Sequence, residues 1–79
     1  MQVQVKLYGM LGKWVDGYDH RAGLAVEMEA GATVADLMQR IGLPLEKIGM
    51  VSLDGRLAGK DTLLQPGMQV KVFHPIFGG

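Results

Sequence analysis

Apolar and polar side chains alternate at the start of the chain, where every odd position from Val3 to Leu7 is aliphatic and every even one is Gln or Lys. A period of two places alternate side chains on opposite faces, so this run predicts a half-buried β-strand. The same alternation from Leu24 to Met28 predicts a second strand. We expect the two strands to pair in antiparallel fashion.

The segment between these strands has no such period. Residues 9–23 contain four glycines, which indicates a loop with at most one short helical turn. Trp14 and Tyr18 are the large side chains of this loop and are expected to anchor it by packing, whereas an exposed Trp14 would indicate a contact surface.

The spacing of apolar residues changes to a helical one after Gly31. Thr33 is a favourable N-cap residue, and Asp36 places an acid near the positive end of the helix. Apolar residues then recur at intervals of three and four, which predicts an amphipathic helix over 33–41. Gly42 suits the residue after the helix, and Pro44 prevents its continuation. So short a helix must pack its apolar stripe on the sheet to be stable.

The rest of the chain returns to strand-like patterns. Residues 50–53 predict a third strand, Asp54-Gly55 a tight turn, and Arg56-Leu57 a short return strand. A final strand is predicted over 68–74. The order of strands around one helix predicts an α+β fold of the β-grasp type. It has a mixed sheet of four to five strands, one main helix on one face, and the first and last strands parallel in the centre.

The final strand carries the most unusual side chains. Its alternation buries Val70 and Val72 and points Phe73 away from the core, unless a bend at His74-Pro75 tucks Phe73 under a loop. Pro75 stiffens the chain that follows and biases its neighbour toward extended geometry. Ile76 and Phe77 continue the apolar character outside the predicted sheet, and such exposed patches often mark partner sites. We therefore expect residues 1–79 to form one domain with an extended tail over 75–79.

Composition excludes several classes of function. Eight basic and eight acidic residues cancel, which argues against nucleic-acid or polybasic membrane binding. The chain has no Cys, and His20 and His74 stand outside any metal-ligand spacing, so neither a metal site nor a cofactor is expected. The sequence shows no signal peptide and no apolar stretch near the ~20 residues that span a bilayer, so a cytoplasmic protein is expected.

Three segments, and the glycine pair that ends the last of them, together carry a resemblance to a known family. They are the helix opening GATVADLMQRIGLP, the hairpin VSLDGR, the ending DTLLQPGMQVKVFHPIFGG and the Gly78-Gly79 pair. Across nearly its whole length the chain resembles the ubiquitin-like β-grasp sulfur carriers, which include the thiamine sulfur carrier and the small subunit of molybdopterin synthase. The length of the 9–23 loop is more similar to the molybdopterin branch. Phe77 departs from the family, which more often has a small residue there.

The resemblance implies a carrier that is not itself an enzyme. An ATP-dependent enzyme related to ubiquitin activators would adenylate the carboxylate of Gly79, and sulfur would then replace the adenylate as a thiocarboxylate. Gly78 would provide clearance, while Phe73, Pro75, Ile76 and Phe77 would dock partners, including a sulfur-accepting synthase subunit. Two alternatives remain open at this point. One is a ubiquitin-like modifier that joins Gly79 to lysines of other proteins, and the other is a β-grasp binding module in which Gly-Gly is incidental.

Overall fold

Within residues 1–75, which the computed structural model describes, five strands and one α-helix form an α+β domain. A 3₁₀ helix, Gly9–Trp14, lies between the first two strands, and a second one, Leu45–Lys47, follows the α-helix. The principal elements in chain order are β1 Gln2–Leu7, β2 Leu24–Glu27, α1 Val34–Ile41, β3 Val51–Leu53, β4 Arg56–Ala58 and β5 Gln69–Val72.

The sheet has the strand order β2-β1-β5-β3-β4. β1 and β5 lie side by side in its centre and run parallel, with Val5 opposite Val70 and Leu7 opposite Val72. The other neighbouring strands are antiparallel. This mixed sheet with one helix confirms the predicted β-grasp, including its central parallel pair.

Helix α1 begins and ends where its capping residues predict. The Thr33 hydroxyl accepts a hydrogen bond from the Asp36 backbone N–H (3.2 Å), and the Asp36 carboxylate accepts one from the Thr33 N–H (2.9 Å). This reciprocal box satisfies two N–H groups that the first turn leaves without helical partners. Gly42 follows the helix with a φ of 81°, a left-handed conformation that glycine adopts without strain.

The core lies between α1 and one face of the sheet. Alternation holds in both central strands, because each inward residue of β1 and β5 is at most 2% exposed. The helix contributes the buried side chains of Val34, Leu37 and Met38 from its apolar stripe. Leu24 and Val26 are only half-buried, since β2 is an edge strand that the core covers incompletely.

Two local features differ from expectation. The last strand ends at Val72 rather than near residue 74, although Phe73 still exchanges backbone hydrogen bonds with the chain that leads into β3. In the 9–23 loop, Leu11 is fully buried and Tyr18 is half-buried, whereas the Trp14 side chain is 44% exposed. Tyr18 therefore anchors the loop as predicted, but Leu11 replaces Trp14 as its core residue. Trp14 instead lies beneath the Lys47 ammonium, 5.4 Å from the ring centroid.

Candidate functional site

The candidate site lies where the chain leaves the central strand β5. Because β1 and β5 are parallel, their C-terminal ends meet at one edge of the sheet, and the Tyr8 N–H donates to the Val72 carbonyl (2.9 Å). Phe73, His74 and Pro75 follow immediately and form the exit, the segment by which the chain leaves the sheet. They lie among the residues after β1 and those before β3, so two connecting segments determine where the chain goes next.

A pair of backbone hydrogen bonds holds the first residue of this exit. The Phe73 N–H donates to the Met50 carbonyl (2.8 Å), and the Phe73 carbonyl accepts from the Gly49 N–H (2.7 Å). Both bonds involve only main-chain atoms, so they do not depend on the identity of the Phe73 side chain. The exit is therefore tied to the sheet one residue beyond the end of β5.

The Phe73 side chain points away from the core, as its alternation predicts, but it is half-buried rather than free. Its ring stacks on the Tyr8 ring, with centroids 4.9 Å apart and planes 15° from parallel. The His20 ring in turn meets Tyr8 edge-on at 5.1 Å. Met50, which pairs with Phe73 through its backbone, is 47% exposed.

Tyr8 and Met50 were missed as site residues, although the sequence contains a signal for each. Tyr8 continues the outward positions of β1 two residues after Lys6, and Met50 precedes the inward Val51. Continuing the alternation one residue after β1 and one residue before β3 places Tyr8 and Met50 on the same face as Phe73. Their proximity to Phe73 then follows from the strand order.

The remaining predicted site residues divide into two groups. Pro75 is half-buried at the exit, and its carbonyl oxygen lies 2.9 Å from the Nδ1 of the exposed His74, which was not a predicted site residue. The other four predicted residues, Ile76, Phe77, Gly78 and Gly79, lie outside the described residues. Their expected roles in docking and activation stay predictions.

The face of the sheet around the exit carries positive charge. Lys6 and Lys71 occupy register partners on the central strands, in the row next to the Tyr8–Phe73 stack. Over residues 1–75, neither ammonium group lies within ion-pair distance of a carboxylate. Two lysines therefore stand beside an aromatic stack on the face opposite the core.

A hydroxyl group supports β1 next to this site. The Tyr18 Oη accepts from the Leu7 N–H (2.7 Å) and lies 3.3 Å from the Leu7 carbonyl, so it takes the place of a strand partner for Leu7, which lies opposite the chain before β2 begins. The His20 Nδ1 lies 3.2 Å from the same carbonyl. These contacts fix the loop that carries His20 against Tyr8.

Residues 1–75 contain no group of three His, Cys, Asp or Glu side chains placed to hold a metal ion. Over the same range, no helix combines the length and apolar character that crossing a membrane requires.

Comparisons with known proteins agree with this architecture. The sequence model of the Mut7-C ubiquitin family matches residues 1–78. SAMP1 from Haloferax volcanii is 20% identical with a TM-score of 0.71, and both chains are covered in full. A second structure, small archaeal modifier protein 1 from H. volcanii, is 18% identical with a TM-score of 0.73, covering 95% of this chain and 98% of that one.

A third similar structure comes from Pyrococcus furiosus and is described as molybdopterin converting factor subunit 1. It is 21% identical with a TM-score of 0.72, and the match covers 95% of this chain and 98% of that one. At these identities the structures show the shared fold. No curated protein matches the sequence.

Proposed function

The chain belongs to the Mut7-C ubiquitin family, and from this premise we propose that it is a sulfur carrier whose activated group is the carboxylate of Gly79. The observation that carries the proposal is the position of the Gly78-Gly79 pair. The pair follows a segment that leaves the central strand of a ubiquitin-like β-grasp sheet and is tied to that sheet at Phe73. Two residues without Cβ atoms suit entry into a narrow partner site.

In the proposed reaction the chain is a substrate rather than an enzyme. A carboxylate oxygen of Gly79 attacks the α-phosphorus of ATP, and the bond to the leaving pyrophosphate breaks, which gives an acyl adenylate. Hydrosulfide then attacks the acyl carbon and AMP leaves, so that a C–S bond replaces the C–O bond to AMP. The product is a thiocarboxylate, and the partner enzyme supplies the ATP site.

The destination of the sulfur is proposed to be cofactor biosynthesis, with molybdopterin favoured over thiamine. The length of the 9–23 loop and the similar fold of the P. furiosus protein support this preference. The partners would then be an adenylating enzyme related to ubiquitin activators and a sulfur-accepting synthase subunit. A cytoplasmic location accords with such partners.

Docking is assigned in this proposal to Phe73, Pro75, Ile76 and Phe77. The described residues support this assignment because the Phe73 ring is half-buried against the Tyr8 ring. The stack gives Phe73 a fixed orientation on the open face of the sheet, which is the face opposite the core. A rigid aromatic anchor loses less conformational entropy on binding than a mobile one. Phe77 would add a second aromatic contact nearer to the activated group.

A second candidate function is supported by the similarity to small archaeal modifier protein 1. The same acyl adenylate would then be attacked, directly or through a thioester, by a lysine amine of another protein. AMP or the thiol would leave, and an isopeptide bond would form. This outcome uses the same activated group and differs only in the nucleophile.

Intact-mass measurement tests both candidates. The protein isolated from its own cells shows which residue ends the chain and whether that end is modified. The purified 79-residue chain is then incubated with ATP, hydrosulfide and the candidate activating enzyme. We expect a mass increase that corresponds to one oxygen replaced by sulfur.

The matched control is the same chain without Gly79, which should retain its fold because a terminal residue contributes little to the core. Its mass should stay unchanged. Covalent adducts with other proteins would identify a modifier instead. An unchanged mass of the full chain in every sample would contradict both candidates and leave a binding module.

A further inference from the structure

Gly49 lies directly against the segment that leaves β5. A Cβ atom built on Gly49 would lie 2.7 Å from the Pro75 Cα, 2.8 Å from the Pro75 nitrogen and 2.9 Å from the His74 carbonyl oxygen. These are backbone atoms, which cannot rotate away as a side chain would. Any other residue at this position would displace the exit segment or the segment that leads into β3.

The need for glycine at this position comes from space alone. Gly49 is not among the residues with positive φ, so its own backbone conformation would accept a Cβ atom. Gly9 also borders the exit, since its Cβ would lie 3.0 Å from the His74 Cβ, but its φ of 67° favours glycine anyway. Gly59 has neither constraint, because its φ is not positive and nothing lies within 4 Å of its Cβ position.

The same residue also holds the exit by a hydrogen bond. The Gly49 N–H donates to the Phe73 carbonyl at 2.7 Å, and the neighbouring Met50 carbonyl accepts from the Phe73 N–H at 2.8 Å. The two bonds draw the segments together, and the missing Cβ allows Pro75 to follow at van der Waals distance. The hydrogen bonds of Phe73 and the close contact of Pro75 with Gly49 thus fix the position of the chain at two nearby residues.

We infer that Gly49 is a positioning residue, which sets the direction in which the chain carrying Gly78 and Gly79 leaves the sheet. The inference rests on the proposed function for its consequence, because a partner enzyme must receive the Gly79 carboxylate in one orientation. A predetermined direction reduces the conformational freedom that is lost when the segment enters the partner. The geometry around Gly49 can be tested without that partner.

The first test uses the unmodified full chain in solution. A nuclear Overhauser contact is expected between the Gly49 Hα and Pro75 protons, since the Cβ position of Gly49 points at the Pro75 backbone. No such contact should join Gly59 to any residue of the exit. Absence of the Gly49–Pro75 contact would overturn the inference.

The second test is a set of full-length variants: Gly49→Ala, Gly59→Ala, Pro75→Gly and each alanine variant combined with Pro75→Gly. Gly49→Ala should lower the melting temperature by about 4 °C or more and shift the Phe73 amide resonance. Gly59→Ala should change neither by a comparable amount. Pro75→Gly frees the segment to move away, so it should reduce the loss of melting temperature that Gly49→Ala causes. Its own effect on the melting temperature should simply add to that of Gly59→Ala.

The consequence for activation separates the inference from the proposed function. At a temperature where it is folded, Gly49→Ala should lose at least about tenfold in kcat/KM for adenylation, the change in a rate constant that about 1.4 kcal/mol produces. Gly59→Ala should match the unmodified chain. If neither the unmodified chain nor any variant is activated, the proposed function fails, while the Gly49–Pro75 contact and the coupling of the two substitutions still test the geometry. If Gly49→Ala is activated like the unmodified chain, its positioning role is wrong.

Discussion

The two faces of the central strands β1 and β5 have opposite characters. The face toward α1 carries only aliphatic side chains, and each of them is almost completely buried. The inward side chains of both strands belong to one hydrophobic core with Val34, Leu37 and Met38 of α1. The inward residues of the pair are Val3, Val5, Leu7, Val70 and Val72, with exposures of 0%, 1%, 2%, 1% and 0%.

The open face of the same strands shows no such uniformity. Its register partners are two glutamines, Gln4 and Gln69, and two lysines, Lys6 and Lys71. The next row, beyond the ends of the strands, contains the Tyr8–Phe73 stack. Along the strands toward the exit, a row of side-chain amides is thus followed by a row of positive charges and then by a row of aromatic rings.

The two faces differ in what they contribute to folding. Burial of aliphatic area is the main favourable term in folding, and the inner face supplies it. A pair of lysines in register does not favour folding, since like charges directly opposite on a sheet repel each other. The inner face therefore accounts for the fold, and the open face is where features without a folding advantage accumulate.

The largest expected effect is on the inner face. Leu7→Ala removes buried methyl groups beneath the helix and leaves a cavity, so it should lower the free energy of unfolding by about 2–5 kcal/mol. The matched change on the open face is Gln69→Thr, which keeps a strand-forming residue and should alter stability by about 0.5 kcal/mol or less. Denaturant unfolding of both variants measures the contrast. Equal losses would show that the two faces are not energetically distinct.

A smaller loss should follow from the loop that supports β1. Tyr18→Phe removes the hydroxyl that accepts from the Leu7 N–H and leaves that donor without its partner, at an expected cost of about 1–3 kcal/mol. Tyr8→Phe is the matched control on the open face, because the Tyr8 hydroxyl has no hydrogen bond within residues 1–75. Thermal unfolding should therefore distinguish the two tyrosines. A stable Tyr18→Phe would mean that water replaces the hydroxyl at Leu7.

The aromatic stack gives the third contrast. Phe73→Ala removes a ring pair, and such pairs contribute about 0.5–1.5 kcal/mol beyond their buried area. The fold should survive, since both backbone hydrogen bonds of Phe73 remain. If Phe73 also docks a partner, affinity should fall by more than stability, and Phe73→Leu should recover part of it. Calorimetric binding to the activating enzyme, compared with unfolding, separates the two roles.

The sequence predicts the inner face and the ends of the elements well because local rules determine them. Alternation identifies the buried side of β1, and Thr33 and Gly42 place the ends of α1. Asp54-Gly55 forms the predicted turn, with φ values of 49° and 87° at its two residues. In each case the decisive interaction lies within a few residues along the chain.

The site is less predictable because its contacts join distant segments. The clash that requires glycine at position 49 involves Pro75, and the hydroxyl that supports Leu7 comes from Tyr18. Neither pairing has a period or a spacing in the sequence. Trp14 illustrates the same limit, since its size predicts burial while the compact Leu11 fills that place.

The smallest expected effect tests whether the paired lysines of the open face oppose folding. Lys71→Glu places an opposite charge in register with Lys6 and should raise the free energy of unfolding by roughly 0.2–1 kcal/mol. Lys71→Gln removes the repulsion without adding attraction, so its stability should lie between those of the lysine and glutamate forms. The differences should shrink with added salt, because exposed charges are screened. A glutamate variant less stable than the original at low salt would show that Lys71 has a folding role, and the two faces would then differ less than their composition indicates.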